Sequence, residues 1–338
     1  MTIKDVANKS GVSVSTVSRV LNNHPDVSEN VRKKVMEVVE ALHYVPNNSA
    51  RDLTLSQTNS IGVVVRGADN PFFTAMISAM EQEFEKNKYT MVLSQIKAGD
   101  DELLAGASLA RSKRLKGLIF LGGCFDYTQQ QADMLDIPFV CCTYTNDFGS
   151  LDPESYSSIS IDDQTESRRA VKYLIDHGHR KIAVLLDSKT DSSISELRYR
   201  GYIEALEEAG IVPDPDLVEE VTYYDMAAAY EGTRRLLERR PDLTAIFIIA
   251  DSMAIAAMKA LHEAGRSVPD DCSIIAIDGI EMSLYTIPTL TTLIQPREEM
   301  GREAVKALVN VIEGKGGHCH LRFDTILRPG GTVADVKA

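Results

Sequence analysis

The first residues of the chain with a chemistry of their own are Val14, Ser15, Ser18 and Arg19, which a helical reading puts on one outward face. Val17, Val20 and Leu21 fall on the opposite, inward face. An arginine can grip guanine through two hydrogen bonds, worth about 1–3 kcal/mol of discrimination. Valine offers a methyl contact and serine one hydroxyl, so they specify less. Such a set reads bases only when a helix carries it into the major groove with another helix behind it. Residues 2–22, TIKDVANKSGVSVSTVSRVLN, supply both. Thr2 with Asp5 forms a capping pattern, and Ile3, Val6 and Ala7 form an apolar stripe. Gly11 suits a left-handed helix stop, and Ser13 caps the second helix. The motif is a helix-turn-helix.

A two-helix hairpin needs more core, and residues 28–42 provide it. Ser28 is placed to cap a third helix along which Val31, Val35, Val38, Val39 and Leu42 form a stripe, with Pro46 as its stop. Residues 47–55, NNSARDLTL, read as a helical segment too short to stand alone in water. From residue 61 the texture becomes alternating strand and helix. Strands are expected at 61–65, 91–95, 118–121, 139–143 and 158–161, then at 182–186, 218–223, 245–249 and 273–277. Helices are expected between them at 73–85, 102–112, 165–177, 197–209, 227–239, 252–264 and 298–313. Two such series imply two doubly wound lobes with parallel sheets, and ligands in this architecture sit beyond the carboxyl ends of the strands.

The charge is distributed to match. The chain has 338 residues and a net charge of −13, yet residues 1–60 carry seven basic and six acidic side chains, leaving −14 to the remainder. An acidic body that does not itself touch phosphate, behind a near-neutral head, fits that division. The five cysteines (Cys124, Cys141, Cys142, Cys272 and Cys319) are odd in number and lack a CxxC spacing, which points to reduced thiols. His318-Cys319-His320 reads as a polar loop rather than a metal site, since no second ligand cluster accompanies it. No cofactor is expected. No apolar run approaches the ~20 residues of a membrane span, and no export signal precedes the first helix, so a cytoplasmic location is expected.

The run GVSVSTVSRVLN at residues 11–22 closely resembles the lactose-repressor (LacI/GalR) family of bacterial transcription regulators. Further landmarks recur in family order: Asn70-Pro71-Phe72-Phe73, His177-Gly178-His179-Arg180-Lys181-Ile182, Asp278 in IAIDG, Pro288 to Thr292, and Gln295-Pro296. The C-terminal LRPGGTV departs from the family's usual ending, and no leucine-heptad tail follows. The resemblance therefore implies a homodimer, with a helix-turn-helix DNA-binding domain at 1–46 and a hinge at 47–59. A two-lobed, periplasmic-binding-protein-like effector domain at 60–338 would follow, with crossovers near 161 and 293. It also implies that Val14, Ser15 and Arg19 read bases, that Thr16 and Asn22 position phosphates, and that Leu53 wedges into the minor groove. Asp52 departs from the small or neutral residue expected beside it.

In the cleft between lobes the same resemblance assigns Arg198 as the ligand grip. Asp278 would accept two hydroxyl protons, Phe72 and Tyr224 would wall ring faces, and Ser192 would add a hydroxyl. Ala250 stands where the family often has Asn or Ser, which removes one polar contact and argues against a lactose-like ligand. The implied function is a repressor of a pseudo-palindromic operator on double-stranded DNA, controlled by a small polar effector such as a sugar. A relative controlled by a protein partner is the alternative. An enzyme is disfavoured, because no GxGxxG follows residues 61–65 and no GxSxG or P-loop occurs. A solute-binding protein would have no use for residues 1–55.

Overall fold

The computed structural model describes residues 3–21, 24, 26–42, 58–67, 70–97, 99–123, 126–222 and 224–336. Thr2, Asn22, Pro46, the segment 47–55 with Leu53, and the side chain of Ile3 lie outside the described residues. The chain divides into two compact units, residues 1–58 and 59–338.

The first unit holds α1 (Ile3–Ser10), α2 (Val14–Leu21) and α3 (Glu29–Ala41). Gly11 takes φ +65° and ends α1, with the Val12 amide donating to the Ala7 carbonyl at 3.1 Å. Two residues on, the Ser13 hydroxyl accepts from the Thr16 amide at 3.1 Å and starts α2. The inward set is buried as the periodicity requires: Val6, Ala7, Val17, Val20 and Val35 form the centre, and Leu21, Val31, Val38, Val39 and Leu42 pack half-buried around it. Arg32 ties α3 to the turn, donating to the His24 carbonyl at 2.8 Å.

The second unit contains two six-stranded sheets. Lobe 1 begins with β1 (Ser60–Arg66), α4 (Phe72–Lys86), β2 (Thr90–Ile96), α5 (Glu102–Lys113), β3 (Leu118–Leu121), α6 (Gln129–Ala132), β4 (Phe139–Cys142) and β5 (Ser157–Ile161). The chain then enters lobe 2 through α7 (Asp163–Asp176), β6 (Ile182–Leu186), α8 (Ile194–Glu208), β7 (Val218–Glu220) and α9 (Met226–Arg239). Lobe 2 continues with β8 (Ala245–Ile248), α10 (Asp251–Glu263), β9 (Ser273–Asp278) and β10 (Thr291–Ile294). Helix α11 (Arg297–Ile312) returns to pack on α4, β11 (His320–Phe323) joins lobe 1, and β12 (Ile326–Arg328) joins lobe 2. The sheet orders are β11-β5-β4-β3-β1-β2 and β12-β10-β9-β8-β6-β7, parallel except for β12 against β10. Central strands such as β3, β6 and β8 are buried along their whole length, because helices cover both faces.

The chain thus crosses between lobes three times, after Ile161, after Ile294 and after Phe323. Three strands depart from the expected series. β10 occupies the Leu-Thr-Thr stretch read as a connection. β11 is a largely exposed edge strand without an apolar pattern, and β12 has three residues. His320 therefore starts a strand instead of lying in a polar loop; its ring bonds the Ser158 hydroxyl at 2.7 Å and the Pro153 carbonyl at 2.9 Å. β7 stops at Glu220, three residues early, because Tyr224 turns the chain at φ +54°.

Helices α7 and α8 meet at Gly201, where an added Cβ would lie 2.1 Å from the Gln164 carbonyl oxygen. A backbone atom cannot rotate away as a side chain can. Gly201→Ala is therefore expected to cost about 1–3 kcal/mol by overpacking. Urea denaturation measures it, and a midpoint equal to that of the parent would contradict this close approach.

Candidate functional site

Two surfaces gather the residues singled out by the sequence. On the first unit, Val14, Ser15 and Arg19 are exposed and Thr16 is half-buried. The Ser13 hydroxyl lies 2.7 Å from that of Ser15 and 2.8 Å from that of Thr16, so one cap fixes three hydroxyls at the start of α2. The Arg19 guanidinium bonds the Asp26 carboxylate at 3.0 Å, and His24 Nδ1 meets the other oxygen at 2.6 Å. Asp26 thus steers the exposed arginine of α2, a partner the sequence reading did not supply.

On the second unit, a cavity of about 1260 Å³ lies between the lobes at the carboxyl ends of the strands. Phe72, Arg198, Tyr224 and Asp278 all line it. Phe72 opens α4, its amide held by the Asn70 side-chain oxygen at 3.0 Å and its ring edge-on to Phe73 at 5.3 Å. Tyr224 faces it from lobe 2 in the turn before α9. Ser192 does not line the cavity. Its amide is spent on Glu196 at 3.0 Å, and the hydroxyl in the wall belongs to Ser193, the cap of α8.

The polar centre is built on lobe 2. Arg198 is 4 % exposed; its Nε donates to Asp163 Oδ1 at 2.8 Å, its Nη1 donates to the Ile249 carbonyl, and Nη1 lies 4.0 Å from Asp278 Oδ1. Asp278 ends β9 with φ +139° and accepts from the Gln295 amide at 3.0 Å. Asp251 sits behind it, accepting from the Ile280 amide at 2.9 Å and the Thr292 hydroxyl at 2.5 Å, which fixes the loop after β9. Burial pushes the Asp278 carboxyl up to about 8 against the pull of Arg198, and the Asp163 carboxyl up to about 6.

Several members of this polar centre and of the cavity wall carried no sequence signal that the reading used. Asp163 was hidden in the acidic pair after β5, and Gln295 was noted only as a connection landmark. Thr143 after β4 and Ser252 in α10 are almost wholly buried and line the cavity, and among the described residues nothing bonds their hydroxyls. Ser252 supplies a hydroxyl two residues from Ala250, which itself caps α10 without a side-chain bond and is outside the wall. Thr143, Ser192, Tyr224 and Asp278 all hold positive φ, a strain of about 1–3 kcal/mol each that clusters around functional sites. Among the described residues no group of three His, Cys, Asp or Glu could hold a metal ion. No described helix is long and apolar enough to cross a membrane.

A helix-turn-helix unit followed by a two-lobed body with a polar, aromatic-walled cleft is the architecture of a DNA-binding regulator. Residues 2–47 match the bacterial regulatory proteins of the lacI family, and residues 171–333 match the periplasmic binding protein-like domain. The chain is 40% identical over 331 residues to the HTH-type transcriptional regulator MalR of Clostridium butyricum, covering 97% of each. Among solved structures it is similar to the lac repressor dimer bound to operator and the anti-inducer ONPF (26% identity, TM-score 0.78, 99% of each chain). It is also similar to the transcriptional regulator CelR in complex with cellobiose (28% identity, TM-score 0.73, 98% of this chain and 99% of that one). The chain belongs to the lacI family and is a DNA-binding transcriptional regulator of the repressor type.

The raised carboxyl of Asp278 has a consequence for stability. Its value is about 8 in the folded chain against 3.8 unperturbed, so the folded state keeps a proton that the unfolded state releases in between. The stability it contributes is present below pH ~4 and is lost as pH rises through ~8. The unfolding free energy of the parent, minus that of Asp278→Asn, is expected to fall across this window. Denaturation at a series of pH values measures it, and a constant difference would contradict the buried, proton-holding carboxyl.

Proposed function

We propose that the chain represses transcription in the cytoplasm by binding a pseudo-palindromic operator as a homodimer, and that a sugar or sugar derivative in the cleft controls it. The observation that carries the effector class is the cleft itself. Arg198, Asp278, Thr143 and Ser252 line it together with the Phe72 and Tyr224 rings, and among the described residues nothing bonds the Thr143 and Ser252 hydroxyls. A guanidinium donates, a carboxyl that holds its proton both donates and accepts, and an aromatic face packs against the apolar side of a sugar ring. The volume exceeds what one ring fills, and the similar CelR structure holds cellobiose. On the first unit Val14, Ser15 and Arg19 read bases, while Thr16 and Asn22 hold phosphates and Leu53 enters the minor groove of the operator. The two-fold symmetry of a dimer imposes two-fold symmetry on its site.

A sugar held by Phe72 of lobe 1 and by Arg198 and Asp278 of lobe 2 binds the closed arrangement better than the open one. That difference in affinity, typically about 1–3 kcal/mol, is all the coupling available to change operator binding. The test is operator affinity of the purified chain with and without mono- and disaccharides. One of them is expected to shift it several-fold in the parent, while Phe72→Ala and Asp278→Asn are expected to lose that response and keep an operator affinity close to that of the parent. Unaltered operator binding across all sugars, or variants that respond like the parent, would sink the assignment.

The dimer has its own support. Tyr285 and Ile287, at 76 % and 96 % exposure, stand with exposed Met282 and Leu284 in the segment between β9 and β10. Adjacent large apolar side chains of this kind mark an association surface, and the similar lac repressor is a dimer on its operator. Tyr285→Asp combined with Ile287→Asp is expected to give a folded monomer in sedimentation equilibrium. A double variant that still sediments as a dimer would place the interface elsewhere.

A further inference from the structure

The cleft between the lobes is longer than one sugar ring. In lobe 1 its wall runs from Thr143 after β4, past Gly122 after β3 and Gly67 after β1, to Lys97 after β2. These are four neighbouring strands of one sheet. In lobe 2 it runs from Gln295 after β10, past Asp278, Ser252 and Asp187, to Thr222 after β7, across five neighbouring strands. At roughly 4.8 Å between strands, the wall is about 14 Å long in lobe 1 and about 19 Å long in lobe 2. The volume of about 1260 Å³ also exceeds the roughly 300–1,000 Å³ of common small-ligand pockets.

The two ends of this wall differ. The inner end lies at the lobe crossings, where Thr143, Ser252, Asp278 and Gln295 are each at most 5 % exposed. It encloses what it holds. The outer end lies at β2 and β7, the edge strands of the two sheets, and it is open. Gln95 and Lys97 of lobe 1 and Met226 of lobe 2 line it and are exposed. Among the described residues nothing bonds the Gln95 side-chain amide or pairs with the Lys97 ammonium. Met226 opens α9, and its apolar side chain is 40 % exposed at the cleft. An amide and an ammonium can bond ring hydroxyls, and a thioether can pack on the apolar face of a ring. A single ring at the inner end, covering about one strand spacing, stops short of all three.

We propose that the outer end of the cleft is a second sugar subsite and that the effector is a disaccharide, its inner ring held at Arg198 and Asp278 and its outer ring at Gln95, Lys97 and Met226. The proposal rests on the sugar reading of the cleft and adds the size of the sugar and its direction, from the lobe crossings to the β2 and β7 edge. The outer ring meets both lobes, as the inner one does, so each ring favours the closed arrangement.

The test is titration calorimetry of the intact chain with maltose, cellobiose and trehalose, three differently linked dimers of glucose, each against glucose itself. At least one dimer is expected to bind about tenfold or more tighter than glucose, as two added hydrogen bonds and a packed ring face allow. For that dimer, Gln95→Ala combined with Lys97→Ala is expected to cut the ratio of dimer to glucose affinity about tenfold, and Met226→Ala several-fold. Asp278→Asn, at the inner end, is expected to weaken both sugars and leave the ratio near that of the parent. Glucose bound as tightly as every dimer, or a ratio unchanged in both outer variants, would overturn the outer subsite and leave the sugar reading standing. Absence of heat with glucose and all three dimers would overturn both.

Discussion

The body of this protein depends on one guanidinium buried among carboxylates. Arg198 is inside lobe 2, and removing such a group from water costs several kcal/mol unless its surroundings answer it. Here Asp163 and the Ile249 carbonyl answer it with hydrogen bonds, and Asp278 stands 4.0 Å away. Asp163 stands at the crossing from lobe 1, Ile249 follows β8, and Asp278 ends β9. One side chain on α8 therefore ties the ends of the paired strands β8 and β9 to the crossing from lobe 1. A partner lost from such a set leaves a buried charge uncompensated, which is more costly than never having buried it. The third carboxylate, Asp251, is satisfied separately by the loop after β9, so it shapes the site without competing for the arginine.

The balance is deliberately incomplete on the cleft side. Arg198 stands 4.0 Å from Asp278, beyond a good hydrogen bond, and the Asp278 carboxyl holds its proton well above the usual range. Thr143 and Ser252 add hydroxyls that bond nothing among the described residues. Unmet polar groups cost free energy in the empty state, and a ligand that meets them recovers it. The positive φ values of Thr143, Tyr224 and Asp278 belong to the same logic, since the surrounding sheets over-determine backbone that would relax elsewhere.

Much of this was legible in the residues. The helix-turn-helix followed from Gly11, Ser13 and the valine spacing because local periodicity and capping decide such a unit. The two lobes followed from alternating apolar strands and amphipathic helices. Phe72, Arg198, Tyr224 and Asp278 were reached through resemblance, and all four line one cavity. What escaped was set by tertiary context. β11 has no apolar pattern because it is an exposed edge, and β12 is too short for periodicity to register. Asp163 looks like an ordinary helix-start acid until the fold brings Arg198 to it from 35 residues away. Ser192 was misplaced by one residue because its loop turns at φ +55°, which sends its amide to Glu196 and leaves Ser193 at the wall.

The two units solve different stability problems with the same sequence grammar. The first has few fully buried side chains, chiefly Val6, Val17, Val20 and Val35, which is little core for three helices. Its order therefore leans on local devices: the stop at Gly11, the hydroxyl cap at Ser13, and Arg32 bridging to the turn. Those devices also order the exposed face of α2, because Ser13 orients Ser15 and Thr16 while Asp26 holds Arg19. The Arg19–Asp26 pair is exposed and so contributes little to stability. Its effect is on placement, since Asp26 holds the Arg19 guanidinium at the exposed face of α2.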